Sequence, residues 1–264
     1  MIVCGSLSKH PVSLGRAMHE AGYRALGLDW VYVPFRCGAV TDALRGVRGL
    51  SIRGLGVSMP YKLEVIPHLD ALSPHAEAIA AVNTIVNDDG VLTGHNTDAD
   101  GAADALEEAA PLLGKSALLL GAGGAARAIA VGLAARGARV TVSNRHLDKA
   151  RVIAGLVGGD AVSWDERSRA HGYDVLVNAT SLGMEDVDPR SPLEPSWLRA
   201  GQVLLDAVYK PVETALVRAA RDAGVTVVRG ERMLLHQAMG QFCLYTGRDA
   251  PREAMEAALM SALR

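Results

Sequence analysis

Two groups of residues in this chain have types and spacings that suit chemistry. The first is Gly121-Ala122-Gly123-Gly124-Ala125-Ala126, which fits GxGxxG/A. Glycines at these positions allow a tight turn and let backbone N–H groups approach a pyrophosphate. A helix starting there adds partial positive charge. Where such a unit binds NAD, its second strand usually ends in Asp or Glu, about 20 residues past the first glycine. Here the segment reads Ser143-Asn144-Arg145-His146. The guanidinium fork of Arg145 can pair with a 2′-phosphate, and Lys149 adds charge one helical turn later. The missing acid and the present cation favour NADP, with NAD as the alternative.

The second group is three polar islands in the first hundred residues. They are Ser58-Met59-Pro60-Tyr61-Lys62, Ala81-Val82-Asn83-Thr84 and Gly94-His95-Asn96-Thr97-Asp98. A lysine and a carboxylate side by side can take the proton of an alcohol that gives up hydride, or return one to an alkoxide. Asn83 offers a donor and an acceptor. Each feature alone has a plainer use. A lysine after a turn more often faces solvent, and Asp98 can cap a helix. Cys4, Cys37 and Cys243 lie far apart and form no CxxC pair, and the eight histidines form no HxxxH pair. Neither a disulfide framework nor a metal site is expected, most histidines are expected at the surface or as caps, and a reducing cytoplasm is the expected setting.

The elements that position these groups follow from the apolar pattern. Residues 117–120 read as a buried strand, 125–135 as a helix and 139–142 as the next strand. Further strands are expected at 174–177, 203–205 and 225–228, with a helix over 213–223. This alternation predicts a doubly wound parallel sheet over about 100–230. In the first hundred residues, strands are expected at 2–4, 30–35 and 55–57, a helix over 14–26, and a helix beginning over 62–68. Strands 83–86 and 91–93 flank Asn87-Asp88-Asp89-Gly90, a hairpin signal. The tail predicts helices over 232–245 and 251–263, with Asp249 as the N-cap of the second.

Taken in order, the motifs resemble those of the shikimate dehydrogenase family over nearly the whole chain. The family's Pro-Phe-Lys appears as Pro60-Tyr61-Lys62, its Val-Asn-Thr as Val82-Asn83-Thr84, and its Asn-Thr-Asp as Asn96-Thr97-Asp98. Its glycine turn appears as Gly121 to Arg127, its Asn-Ala-Thr-Ser-x-Gly-Met as Asn178 to Met184, and its Met-Leu-x-x-Gln-Ala as Met233 to Ala238. The resemblance implies an α/β fold: an N-terminal mixed α/β substrate domain plus a Rossmann-type doubly wound domain, with the C-terminal helices returning to the first. The expected division is 1–97 plus 231–264 for substrate and 98–230 for NADP. It implies reversible hydride transfer between shikimate, a polyhydroxy cyclohexene carboxylate, and its 3-ketone, in aromatic amino acid biosynthesis. Lys62 and Asp98 would be catalytic. Asn83 and Gln237 would bind ring hydroxyls, Ser58 would replace the family's threonine, and Tyr209 would lie near the carboxylate. Thr180, Val208, Gly230 and Met233 would line the cofactor, and Asn144 would stand beside its 2′-phosphate.

The N-terminal serine motif departs from the family. Its best fit is Val12 to Glu20, where Ser13 keeps one serine and Gly15 replaces the other. Ser6 and Ser8 make a second Ser-x-Ser in what reads as a longer loop, a feature of the shikimate dehydrogenase-like subgroup. Lys9 or Arg16 offers a substitute cation for the carboxylate. Rival readings are a paralogue acting on quinate or an amino analogue, possibly with NAD in place of NADP, and a ligand-binding sensor that has lost the chemistry. With 264 residues and a net charge of -2, the chain has no basic stripe for nucleic acid, no signal-peptide pattern and no apolar run long enough to span a bilayer. A monomer or homodimer is expected.

Overall fold

The computed structural model describes residues 1–11 and 13–264; Val12, in the expected carboxylate-binding segment, lies outside the described residues. The chain divides into two units, Met1–Thr97 with Leu235–Arg264, and Asp98–Leu234.

The first unit contains β1 (Ile2–Ser8), α1 (Leu14–Ala25), β2 (Trp30–Arg36), α2 (Val40–Gly49), β3 (Gly54–Val57), β4 (Ala71–Leu72), α3 (Pro74–Ile79), β5 (Thr84–Asp88) and β6 (Val91–His95). Among the described residues these strands form one sheet in the order β2-β1-β3-β5-β6-β4. β1 runs parallel to β2 and β3, whereas β5 is antiparallel to both neighbours. The β5–β6 hairpin turns at Asp89 and Gly90, whose φ values are 51° and 94°. Positive φ at both central residues is what a two-residue turn of this twist demands. In α2, Val40, Leu44 and Val47 recur at helical spacing and bury against Leu55, Val57, Ile85 and Leu92.

The second unit contains α4 (Asp98–Glu107), β7 (Ser116–Leu120), α5 (Gly124–Ala135), β8 (Arg139–Asn144), α6 (Leu147–Val157), β9 (Asp160–Ser163), β10 (Val175–Asn178), β11 (Val203–Asp206), α7 (Ala215–Asp222) and β12 (Thr226–Arg229). Its sheet is wholly parallel, in the order β12-β11-β10-β7-β8-β9. Strand order reverses between β7 and β10, the switch point where open α/β sheets bind ligands. Alternate residues of one strand enter different cores: Leu119 packs with Leu106, Leu133 and Ile153, while Leu118 and Leu120 pack with Leu204 and Leu216. Both faces are covered, which is why the strands read as unbroken apolar runs. α8 (Gly230–Thr246) starts in this unit and continues in the first from Leu235, followed there by α9 (Arg252–Ala262). α9 packs on α1. A Cβ at Gly22 of α1 would lie 2.7 Å from the Phe242 ring, so α1 also lies close against α8.

Three sequence expectations change. Residues 61–65 are a series of turns ending in a single 3-10 turn, Ile66–His68, and not the start of an α-helix. Pro60 and Pro67 bracket the segment and remove backbone donors that a helix would use. Ser6 and Ser8 belong to β1, paired with Pro34 and Arg36, and not to a long loop. The N-cap of α9 is Pro251, whose carbonyl accepts the first helical bond from Met255 N at 3.1 Å, so Asp249 does not cap it. Proline also disfavours helical backbone at the residue before it.

Candidate active site

The glycine segment joins β7 to α5 at the switch point. Gly121 has φ 112°, and a Cβ there would sit 2.8 Å from the Ala179 carbonyl oxygen, so no other residue fits without a shift. Gly123 and Gly124 differ: a Cβ at either would meet nothing within 4 Å. The first N–H groups of α5 have no partner within the helix, and Gly123 as N-cap supplies no side chain. Bare backbone, open space and the positive end of a helix together fit a pyrophosphate. Ala122 and Ala125 are half-buried beside the turn, and Ala126 is fully buried against the sheet.

Arg145 directly follows β8, and it and Lys149 are exposed; no hydrogen bond or ion pair engages either side chain among the described residues. Asn144 donates its amide to the His146 carbonyl at 3.1 Å and so shapes the turn that carries Arg145. Asp188 is paired with Arg190 at 2.9 and 2.6 Å. The Arg190 guanidinium, with a smaller pull from Arg145, holds the Asp188 carboxyl down at about 2. An adenosine 2′-phosphate fits this corner: it presents exposed cations and has no acid at the end of β8.

The ends of β10 and β11 are tied together by Asn178 and Asp206. The Asn178 amide donates to Asp206 Oδ1 at 2.9 Å and to the Leu182 carbonyl at 2.9 Å, while Asn178 Oδ1 accepts from the Thr180 N–H and hydroxyl at 3.1 and 2.7 Å. Asp206 accepts further bonds from Val208 N at 3.2 Å and the Thr214 hydroxyl at 2.6 Å. Burial raises the Asp206 carboxyl above its ordinary value, and these three donors oppose the rise. The Thr180 hydroxyl also accepts from Leu182 N at 3.1 Å. It therefore serves its own loop. Val208 is buried, Tyr209 is half-buried beyond it, Gly230 begins α8, and Met233 lies in the core that α5 and the sheet share.

In the first unit, two backbone bonds join the lysine turn to the asparagine segment. Val57 N donates to the Asn83 carbonyl at 2.6 Å, and Val82 N donates to the Lys62 carbonyl at 2.8 Å. Ser58, exposed at the head of this turn, is held by its N–H to the Leu7 carbonyl at 3.0 Å. The Asn83 side chain reaches the third island. Its Oδ1 accepts from Thr97 N at 2.8 Å, and its amide donates to the Thr97 hydroxyl at 3.0 Å. Asp98 follows Thr97 by one peptide bond, is buried, and opens α4. The three islands thus form one hydrogen-bonded strip. Gln237 is half-buried on α8. Ser13 is the exposed N-cap of α1 and makes no side-chain capping bond, and no hydrogen bond joins it to the strip among the described residues.

Three polar residues beneath these sites were not singled out from the sequence. Asp206 is an acid ending an apolar strand. Gln241 stands one helical turn after Gln237. His19, one of the eight histidines of which most are expected at the surface or as caps, is wholly buried. A buried polar group in an apolar element is the signal that finds such residues, but burial is not visible in sequence. Among the described residues, no group of three or more His, Cys, Asp or Glu could hold a metal, and no helix is long and apolar enough to cross a membrane.

Known proteins of the same kind match along the full chain. A shikimate dehydrogenase substrate binding domain matches residues 4–85, shikimate / quinate 5-dehydrogenase matches 103–188, and a shikimate 5'-dehydrogenase C-terminal domain matches 230–260. A shikimate dehydrogenase (NADP(+)) from Moorella thermoacetica is 41% identical, covering 98% of this chain and 92% of that one. The crystal structure of shikimate 5-dehydrogenase from Thermus thermophilus with NADP(H) and shikimate superposes with a TM-score of 0.93 at 38% identity, over 100% of both chains. A shikimate dehydrogenase in complex with NADP+ gives a TM-score of 0.95 at 32% identity, over 100% of this chain and 96% of that one. With its motifs in the family's order, both units of the family's fold and relatives of this identity end to end, the chain belongs to the shikimate dehydrogenase family.

Proposed function

We propose that this chain is an NADP-dependent shikimate dehydrogenase, which interconverts shikimate and 3-dehydroshikimate by reversible hydride transfer. The observation that carries this reading is the bonded strip of Lys62, Asn83 and Thr97, which brings the lysine turn to the residue before Asp98. The first unit takes the cyclohexene carboxylate and the second takes the nucleotide. Bound NADP supplies the hydride acceptor. As the C3–H electron pair leaves, the C3 hydroxyl loses its proton to the Lys62–Asp98 pair, and the C–O bond becomes a carbonyl. In reverse, the pair returns the proton to the nascent alkoxide. Asn83 and Gln237 hold ring hydroxyls, Ser58 takes the place of the family's threonine, and Ser13 and Tyr209 serve the carboxylate. Backbone N–H groups at Gly121–Ala125 hold the pyrophosphate, and Arg145, Asn144 and Lys149 hold the 2′-phosphate. Thr180 and Val208, after β10 and β11, and Gly230 and Met233, in the first turn of α8, line the adenosine or nicotinamide. The free cysteines Cys4, Cys37 and Cys243 suit a reducing cytoplasm.

The relatives support the reaction: the Moorella thermoacetica protein is named for NADP+, and the Thermus thermophilus structure holds NADP(H) and shikimate. The test is Lys62→Ala and Asp98→Ala, each assayed for shikimate-dependent NADPH formation beside a far-ultraviolet circular dichroism spectrum. Removing a positioned proton acceptor lowers turnover by about 10²–10⁴-fold. Native spectra with turnover reduced on that scale are expected. Wild-type turnover in both variants rejects the assignment.

A further inference from the structure

We propose that His19 is a positioning residue for substrate binding: it fixes the amide of Gln241, which in turn holds Asn83 in its working orientation. The proposal rests on Asn83 being a substrate contact. Hydrogen-bond direction fixes each link of a chain whose first and last members lie far apart in sequence. The backbone N–H of Thr97 can only donate, so the Asn83 atom that faces it at 2.8 Å is the oxygen. The Thr84 hydroxyl gives its one proton to the same oxygen at 2.7 Å, and therefore accepts from its other neighbour. That neighbour is the Gln241 amide, which donates to Thr84 Oγ1 at 3.1 Å and to the Asn83 carbonyl at 3.3 Å. With its nitrogen committed to these two acceptors, Gln241 turns its oxygen to His19 Nε2, 3.4 Å away. A carbonyl oxygen only accepts, so Nε2 carries the proton.

The surroundings of His19 hold the ring in that one state. The imidazole is wholly buried, and burial lowers its pKa to about 4, so it is neutral near pH 7. A neutral ring with Nε2–H leaves Nδ1 unprotonated, and Nδ1 faces no hydrogen-bond donor among the described residues. The ring stacks on Tyr32 with centroids 4.4 Å apart and planes 2° from parallel. Phe242 and Tyr245 of α8 flank it at 6.2 and 5.7 Å. The Gln241 amide lies over Gly56, where a Cβ would come within 3.2 Å of its nitrogen, so the glycine leaves room for the amide in this position. Without the Nε2–H donor, the Gln241 oxygen would be buried and unpaired. Turning the amide to seek a donor would put an oxygen against the Asn83 carbonyl and the Thr84 hydroxyl. The disturbance would then reach the Asn83 side chain through Thr84.

His19→Phe keeps a stacked ring and removes the donor. Steady-state kinetics for shikimate and for NADP, in wild type, His19→Phe, Asn83→Ala and the double variant, test the relay. His19→Phe is expected to raise the shikimate KM about tenfold, leaving the NADP KM and the kcat within twofold. In the Asn83→Ala background the same change is expected to add less than twofold, because the group it positions is gone. An equal rise in both backgrounds, or an unchanged KM in His19→Phe, overturns the relay. Asn83→Ala with an unchanged shikimate KM instead overturns Asn83 as a substrate contact, and the proposal with it. If His19→Phe fails to fold, Gln241→Met takes its place in the same cycle with the same expected outcomes.

Discussion

In the proposed function, Arg145 decides the choice of nicotinamide nucleotide. It stands directly after β8, exposed and without an ion-pair partner among the described residues, where an enzyme for the unphosphorylated nucleotide would usually place an acid. A charge-assisted pair to a phosphate contributes about 2 kcal/mol, roughly thirtyfold in affinity. Arg145→Ala is therefore expected to raise the NADP KM about thirtyfold and to leave the NAD KM unchanged, measured by initial rates with each nucleotide. An unchanged NADP KM would place the 2′-phosphate elsewhere. The position of Arg145 was legible because it is local: an exposed side chain directly after a strand end. The use of the Thr180 hydroxyl was not legible. Its motif suggests a group free to meet a cofactor, but the hydroxyl bonds Asn178 and Leu182, two residues away on either side, in a local turn that the residue types allow without requiring it. The burial of His19 was not legible for a different reason: it depends on β2 and α8, elements distant in sequence.

The strand–turn–helix unit at Gly121 separates two reasons for glycine. Gly121 has φ 112° and lies against the Ala179 carbonyl, whereas Gly123 opens onto free space. Gly121→Ala is expected to destabilise the fold by about 1–3 kcal/mol in urea unfolding, through backbone strain and steric contact. Gly123→Ala should leave the unfolding midpoint near wild type while raising the NADP KM, because its methyl would occupy the cradle. Equal stability loss in both variants would contradict this division. The strands flanking this turn were legible from continuous apolar runs, and the β5–β6 hairpin from Asp-Gly. α2 was missed although Val40, Leu44 and Val47 carry a helical period; the run is short and has no side-chain cap. α4 was missed because Ala-rich sequence carries little amphipathic contrast. The segment after Lys62 read as a helix from composition, and its two prolines decided otherwise.

At the scale of the molecule, the described residues form two sheets of different kinds. The mixed sheet bears the polar islands on and beside β3, β5 and β6, and the parallel sheet has the kind of switch point at which open α/β sheets bind ligands. Each makes sense of its composition: the parallel strands are apolar on both faces, and the first unit adds the aromatic cluster between β2, α1 and α8. The architecture was legible from alternating periods, and the reaction from six short motifs in fixed order. The carboxylate-binding segment was the least legible part of the site, because the second serine of the family's pattern is replaced by Gly15. Substrate and cofactor together define the proposed activity. The direct measurement is the initial rate of nicotinamide reduction with shikimate, quinate and aminoshikimate, each with NADP and with NAD. Fastest turnover with shikimate and NADP is the expected result. Absence of turnover with shikimate under either nucleotide, or binding without turnover across the panel, would contradict it.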